Sequence, residues 1–455
     1  MSRIWAVAVN TIRQILRLKI ATAFIFILFV LLPVMGFGMT GDGTLKGRLQ
    51  SFVSYGLSLT SFLLCLLTII ASIYTLTSDI KNKQIYTVVT KPIKRYQLIM
   101  GKLVGVVFLS SVILVFFSAL IYSIAAYMPK FLNSTEQEIV TAKDEFYTAR
   151  ASIMPMQQDV TQEVEQEYEK LAKNGMLEEV FKNDSKQQIM DQLRRQKKLE
   201  KRSASVGSQI LWEFYNIKPA DGSDDIFIKF KYDVSVTPAD NQIFGGWLIG
   251  DNRKPIKEID SEVYNLSRKD SIGTAHEIKI PAKAVAADGY LAVAFFNLPL
   301  NNTVVMFSPK DGMEILYKAD NFFANFIRVA LLIEVRIIFL AVTGLLTAAF
   351  LSMPVAILVC LVVFFTGSIS QFIIESFDYL NENVMWYYHY ILKPVIQFMP
   401  QFDKMEPAAF IVPAKMLSWL ELAKTASVMV FIKSLVLLFI ALLLFGSREL
   451  ARIIV

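Results

Sequence analysis

Cysteine and histidine are nearly missing from this sequence: each occurs twice in 455 residues. Cys65 and Cys360 both lie inside apolar runs, which excludes a disulfide framework and a thiolate zinc site. His276 and His389 are too few for histidine-based acid–base chemistry to be expected. A phosphate-binding Gly-x-x-x-x-Gly-Lys-Ser/Thr loop is also absent. Gly101-Lys102 lacks both the upstream glycine and the following hydroxyl, so the chain is not expected to hydrolyse ATP by itself. Gly-x-Ser-x-Gly, His-Glu-x-x-His and paired Cys-x-x-Cys motifs do not occur either. The sequence therefore predicts no catalytic residue, no cofactor and no metal in this chain. Charge is sparse as well, at 19% of residues.

What the chain has is hydrocarbon. Hydrophobic residues make up 54% of it and the mean hydropathy is +0.45, which excludes an ordinary soluble or disordered protein. Six apolar segments, 20–39, 52–75, 103–128, 327–352, 355–375 and 426–446, are each long enough to cross roughly 30 Å of hydrocarbon as a helix. Six spans place both termini on one side. Arg3, Arg13, Arg17 and Lys19 precede the first span, and Lys81, Lys83, Lys91, Lys94, Arg95 and Lys102 lie between the second and third, so that side is predicted to be the cytoplasm. The net charge of +6 is thus read as membrane orientation and not as a nucleic-acid surface. A multi-pass protein of the cell membrane is expected, the inner one if the cell is Gram-negative. Before the first span, residues 1–19 repeat Ile4, Val7, Ala8, Ile12, Ile15 and Leu16 at helical spacing, as an amphipathic elbow helix would.

The stretch between spans three and four has a soluble composition and is predicted to lie outside. Residues 129–208 are rich in Glu, Gln and Lys with helical periodicity and read as a helical hairpin. Residues 209–322 change to a period of two: Ile226, Ile228, Phe230, Tyr232, Val234 and Val236 alternate with more polar neighbours, and further strands are expected at 244–249, 277–280, 290–296 and 303–307. The expected fold is an α-helical polytopic membrane protein of six transmembrane helices, 20–128 and 323–455, carrying an α+β extracytoplasmic domain of helical hairpin and β-sandwich. Trp247 or Tyr264 could offer the sandwich a stacking surface, with core packing as the commoner role for such rings.

The cytoplasmic loop 76–102 carries the most specific signal. Ile85, Tyr86, Val88, Val89 and Ile93 form a short apolar strip ringed by Lys81, Lys83, Lys91, Lys94 and Arg95, and Pro92 interrupts it. On physics alone it is either a lever between two spans or a basic loop that sets topology. Ile85 to Ile93, Arg95 and Gly101-Lys102 together resemble the first intracellular loop of type-2 ATP-binding-cassette exporter permeases, and Phe445-Gly446-Ser447-Arg448-Glu449 resembles the ending of that family's last span. Gln84 and Ile85 stand where the family commonly has Gly-Thr, and the large insert is not general to it.

That resemblance implies a coupling helix seated on a separate ATPase subunit, with Asp79, Lys83, Gln84, Tyr86, Thr87, Val89, Thr90, Lys91, Pro92 and Arg95 as coupling residues. It implies ATP and Mg on that partner, a second permease chain, identical or related, and a bilayer around both. An extracytoplasmic partner for the insert is a further expectation. Ser58, Ser61, Glu334, Thr343, Thr347 and Lys433 are the candidate pathway or buried-charge residues, with Glu334 or Glu375 as partners for Lys433 and Arg336 expected to snorkel from the outer end of its span. Two other readings stay open: a mechanotransmitting membrane subunit that works an external partner without transport, and a membrane-anchored binding module.

Overall fold

The computed structural model describes residues 2–81, 94–156, 159–175, 186–218, 225–253, 262–308, 312–377, 390 and 393–447. The chain divides into two units: Met1–Ala149 with Asn321–Val455, and Arg150–Asp320.

The first unit is helical. An amphipathic helix α1 (Ser2–Leu16) leads into α2 (Lys19–Gly38), followed by α3 (Leu45–Lys81), α4 (Arg95–Phe131) and the short α5 (Glu136–Glu145). After the second unit the chain returns as α8 (Phe322–Phe350), α9 (Met353–Ser368) and α10 (Ser370–Phe377) and closes with a helix over Trp419–Gly446. Among the described residues, α2, α3, α4, α8 and Trp419–Gly446 are long and apolar enough to cross a membrane. The fifth apolar stretch, 355–375, behaves differently. α9 has only 16 residues, and the chain breaks at Ile369 before α10 resumes. The break is held from a distance: Asp403 accepts from the hydroxyl of Ser370 (3.0 Å) and the backbone N–H of Gln371 and so caps α10.

Small residues set how closely the helices pack. A Cβ on Gly344 of α8 would fall 2.0 Å from the Ser72 hydroxyl of α3. Gly101 and Gly105, one turn apart on α4, face α1: a Cβ on the first would lie 2.5 Å from Cβ of Val7, and one on the second 2.7 Å from the Ala8 carbonyl. The elbow helix therefore packs backbone to backbone against α4, the close approach that paired small residues allow. It buries Ala8, Thr11 and Ile15 and leaves Trp5 exposed.

The second unit begins with β1 (Thr148–Ile153), whose first two residues belong to the helical unit. Helices α6 (Thr161–Lys173) and α7 (Lys186–Glu200) pair through Val160, Val164, Ile189 and Leu193. The strands that follow are β2 (Ser203–Ala204), β3 (Gln209–Phe214), β4 (Asp225–Phe230), β5 (Tyr232–Val234), β6 (Gln242–Gly250), β7 (Tyr264–Ser271), β8 (His276–Pro281), β9 (Leu291–Asn297), β10 (Val305–Phe307) and β11 (Met313–Asn321). They form sheets of order β1-β11-β4-β8, β2-β10-β5 and β3-β9-β6-β7. One core unites them, with Trp212, Phe230, Tyr232, Trp247, Phe295 and Phe307 at its centre. Trp247 is 1% exposed and packs on Phe230 at 4.4 Å, so it is core and offers no stacking surface. Tyr264 has its hydroxyl on Glu262. The single strand expected over 226–236 is two strands in different sheets, because the N–H of Lys231 turns aside to the Gly312 carbonyl.

Candidate coupling site and buried polar network

Residues 82–93, and with them Lys83, Gln84, Tyr86, Thr87, Val89, Thr90, Lys91 and Pro92, lie outside the described residues, as do Arg448 and Glu449. What flanks that loop is well defined. Asp79, near the end of α3, and Lys102, in the second turn of α4, meet at 2.5 Å, and the lysine is 1% exposed. Lys102 also donates to the Thr75 carbonyl at 2.7 Å. Asp79 accepts a second bond, 3.0 Å from the side-chain amide of Gln14 on the elbow helix. A buried ion pair endures only where its remaining bonding capacity is met. Here Thr75 and Gln14 supply further bonds, and the result ties α1, α3 and α4 into one clamp at the base of the loop.

Arg95 makes a second tie. Its guanidinium donates to the carbonyls of Gly446 and, at 3.5 Å, Phe445, in the last described turn of the final helix. Cations are favoured at that end of a helix by the unpaired carbonyls and the dipole. The two short sequence motifs, one after the second span and one after the last, thus touch. Phe445 is buried at the junction.

The other polar network lies along the bundle and centres on residues 399–418, a run of short turns with a brief helix at Ala408–Ile411. Arg336 sits 14 residues into α8, about 21 Å along it at 1.5 Å per residue, and is 4% exposed. It does not snorkel from the helix end. Its guanidinium donates to the Phe402 carbonyl (2.7 Å) and the Ser61 hydroxyl (3.2 Å), with the Glu406 carboxylate at 3.7 Å. Ser58 donates to Glu406 at 2.7 Å. Closer to the start of α8, Arg328 donates to the Leu417 carbonyl (2.7 Å), while Asn325 donates to Lys415 O (3.0 Å) and accepts from the Leu417 N–H (2.9 Å). Gln50 of α3 reaches the Val412 carbonyl. Irregular backbone inside an apolar bundle must find its partners in protein, and these side chains supply them. Residues 399–418 thus fold back against α3 and α8.

The remaining candidates separate. Ser58 and Ser61 belong to this network. Thr343 and Thr347 return their hydroxyls to their own helix, on the carbonyls of Phe339 (2.9 Å) and Thr343 (3.1 Å). Glu334 accepts from Ser111 of α4 at 2.7 Å, and its other oxygen has no hydrogen-bond partner among the described residues. Lys433 donates to the Met399 carbonyl at 2.8 Å, so the expected pairing with Glu334 is replaced by a main-chain contact; the side chain of Glu375 lies outside the described residues. Lys433 stands in a π-helical stretch, Ser427–Ser434, where the Ser434 hydroxyl bonds Met429 O five residues back. Sequence reasoning missed Gln14, Asn325 and Arg328. A Gly-x-x-x-Gly spacing at 101–105 and two polar residues in an otherwise apolar helix were the available signals.

Residues 13–152 match the model of a family described as ABC-2 family transporter protein. The match takes in the last turn of the elbow helix, the first three long helices and Gln14, Asp79 and Lys102 of the clamp, so this part of the chain is similar to membrane-embedded ABC transporter permeases. No curated protein and no solved structure matches the chain.

Proposed function

We propose that the chain is the permease subunit of an ATP-driven exporter, coupled to a separate ATPase subunit that grips residues 82–93. ATP and Mg act on that partner. Force delivered to the loop passes into the Asp79–Lys102–Gln14 clamp, so that α1, α3 and α4 move together, and Arg95 carries the motion to the end of the last span. The observation behind this reading is the clamp: three elements that would otherwise slide independently share one buried carboxylate, each of whose oxygens has a partner. Asp79 and Arg95 are coupling residues because each ties an end of the loop to the bundle. Two permease chains pair around a common path, both termini face the cytoplasm, and the β-rich unit lies outside.

The test is capture of the ATPase subunit by the tagged permease. Replacing Tyr86 and Val89 together by Asp abolishes capture and ATP-dependent flux in vesicles while leaving membrane insertion and thermal stability unchanged. Capture that persists in this variant overturns the assignment of the loop. A second reading, mechanotransmission to an external partner, draws support from the β-rich unit having a hydrophobic core of its own. Partner capture by that unit with no ATP-dependent flux distinguishes it.

A further inference from the structure

The β-rich unit contains a cleft of about 620 Å³, within the roughly 300–1,000 Å³ usual for small-molecule sites. Its floor is Trp212, Phe307 and Met313, all at most 9% exposed, with the two rings edge to face at 4.7 Å. Met154, Met156 and Leu211 rise around it as exposed apolar side chains. Thioethers are polarizable and unbranched, so a wall containing them adapts to chains of varied shape.

One side of the cleft is basic. Lys198, Lys201 and Arg202 line it at the end of α7 and the turn beyond. Lys201 is paired with Glu163 at 2.8 Å. The side chains of Lys198 and Arg202 have no hydrogen-bond or ion-pair partner among the described residues. The two acids of the lining take their hydrogen bonds from other groups, Asp159 from the N–H and hydroxyl of Thr161 and Glu213 from the Tyr290 hydroxyl at 2.8 Å, and Lys198 acts on Asp159 through charge alone. An oily floor of this size beside two cations whose hydrogen-bonding capacity is not taken up by the described residues fits a molecule with a hydrocarbon tail and an anionic head.

We propose that this cleft binds a single-chain anionic amphiphile, of which a long-chain fatty acid is the simplest case: the tail lies over Trp212, Phe307 and Met313 and the carboxylate meets Lys198 and Arg202. A peptide fits less well. The Glu213 carbonyl on edge strand β3 is already taken by the Met156 N–H at 3.3 Å, and the floor presents ring, thioether and alkyl carbon. The inference does not depend on the transport reading.

The experiment uses the full chain in nanodiscs of zwitterionic lipid, a photoactivatable palmitate as probe, and peptide mapping of the adducts. The expected result is labelling of residues 154–156 or 211–213. Charge reversal by Lys198→Glu with Arg202→Glu lowers it about tenfold or more, as loss of charge-assisted bonds predicts. Leu211→Trp, which fills the cleft and keeps both cations, also lowers it, and Lys198→Gln with Arg202→Gln serves if the reversal unfolds the unit. Hexadecanol, with the same tail and no charge, competes about tenfold more weakly than palmitate. Adducts confined to the long apolar helices, labelling undiminished in the variants, or equal competition by hexadecanol overturns the proposal. Displacement by an acidic apolar peptide at a lower concentration than palmitate also overturns it.

Discussion

Replacing Asp79 by Leu leaves Lys102 buried at 1% exposure with, among the described residues, only the Thr75 carbonyl as a partner, and strands the amide of Gln14. Removing one member of such a pair costs about 3–5 kcal/mol, because the surviving charge has neither water nor counter-ion. Lys102→Met leaves the Asp79 carboxylate with Gln14 alone and costs about the same. The double variant removes both charges and fills the space with apolar atoms, so it returns to within about 2 kcal/mol of the parent. The two single losses therefore fail to add by at least about 4 kcal/mol. The assay is a double-mutant cycle on unfolding in mixed SDS micelles, followed by protection of the elbow helix from protease. Additive losses, or a double variant as unstable as either single one, refute the clamp. On the proposed function, the double variant is stable and yet impaired in ATP-dependent flux, since the hydrogen bond to α1 has gone.

Gly101→Leu places side-chain carbon where Val7 and the Ile4 carbonyl already stand, and α1 is displaced from α4. An overpacking loss of about 1–3 kcal/mol is expected, read together with a shift in emission from Trp5, which stacks edge to face on Phe108 at 5.8 Å; unchanged emission and stability contradict the packing. Ala414, buried at φ +51°, holds a left-handed conformation that costs an L-residue about 1–2 kcal/mol. Ala414→Gly relieves it and stabilises by up to about 1 kcal/mol after the extra unfolded-state freedom of glycine is deducted, whereas Ala414→Val destabilises; thermal unfolding in detergent checks both signs.

Windows of hydropathy located five of the long helices because the bilayer-length apolar stretch is a local property. The helices outrun those windows, as in Leu45–Lys81 against 52–75, since their polar ends continue past the apolar part. The ion pair at the loop base was half legible: Asp79 and Gly101-Lys102 were picked out by pattern, but Gln14 reaches Asp79 across 65 residues and left no local trace. The break at Ile369 was illegible for the same reason, its cap being Asp403. Charge in an apolar helix pointed to Arg336, yet not to its partners, because a main-chain carbonyl carries no residue type. In the β-rich unit, alternation marked β4 but ran on through β5, since a period of two persists across a strand that leaves one sheet for another. β7 (Tyr264–Ser271) was missed because its outward side chains are polar and its paired side is only partly apolar.

The segment 399–418 is fastened mostly by its carbonyls: those of Met399, Phe402, Val412, Lys415 and Leu417 each receive a side-chain donor from another part of the bundle. Its shape is therefore specified outside itself. Apart from Asp403, Glu406, Ala414 and the buried Phe402, Met405, Ile411 and Leu417, its own letters can be rewritten while the trace survives, and the vulnerable positions elsewhere are Gln50, Asn325, Arg328, Arg336 and Lys433. A mutational scan would find the tolerant stretch and its distant wardens in different parts of the chain, with nothing adjacent in sequence to link them.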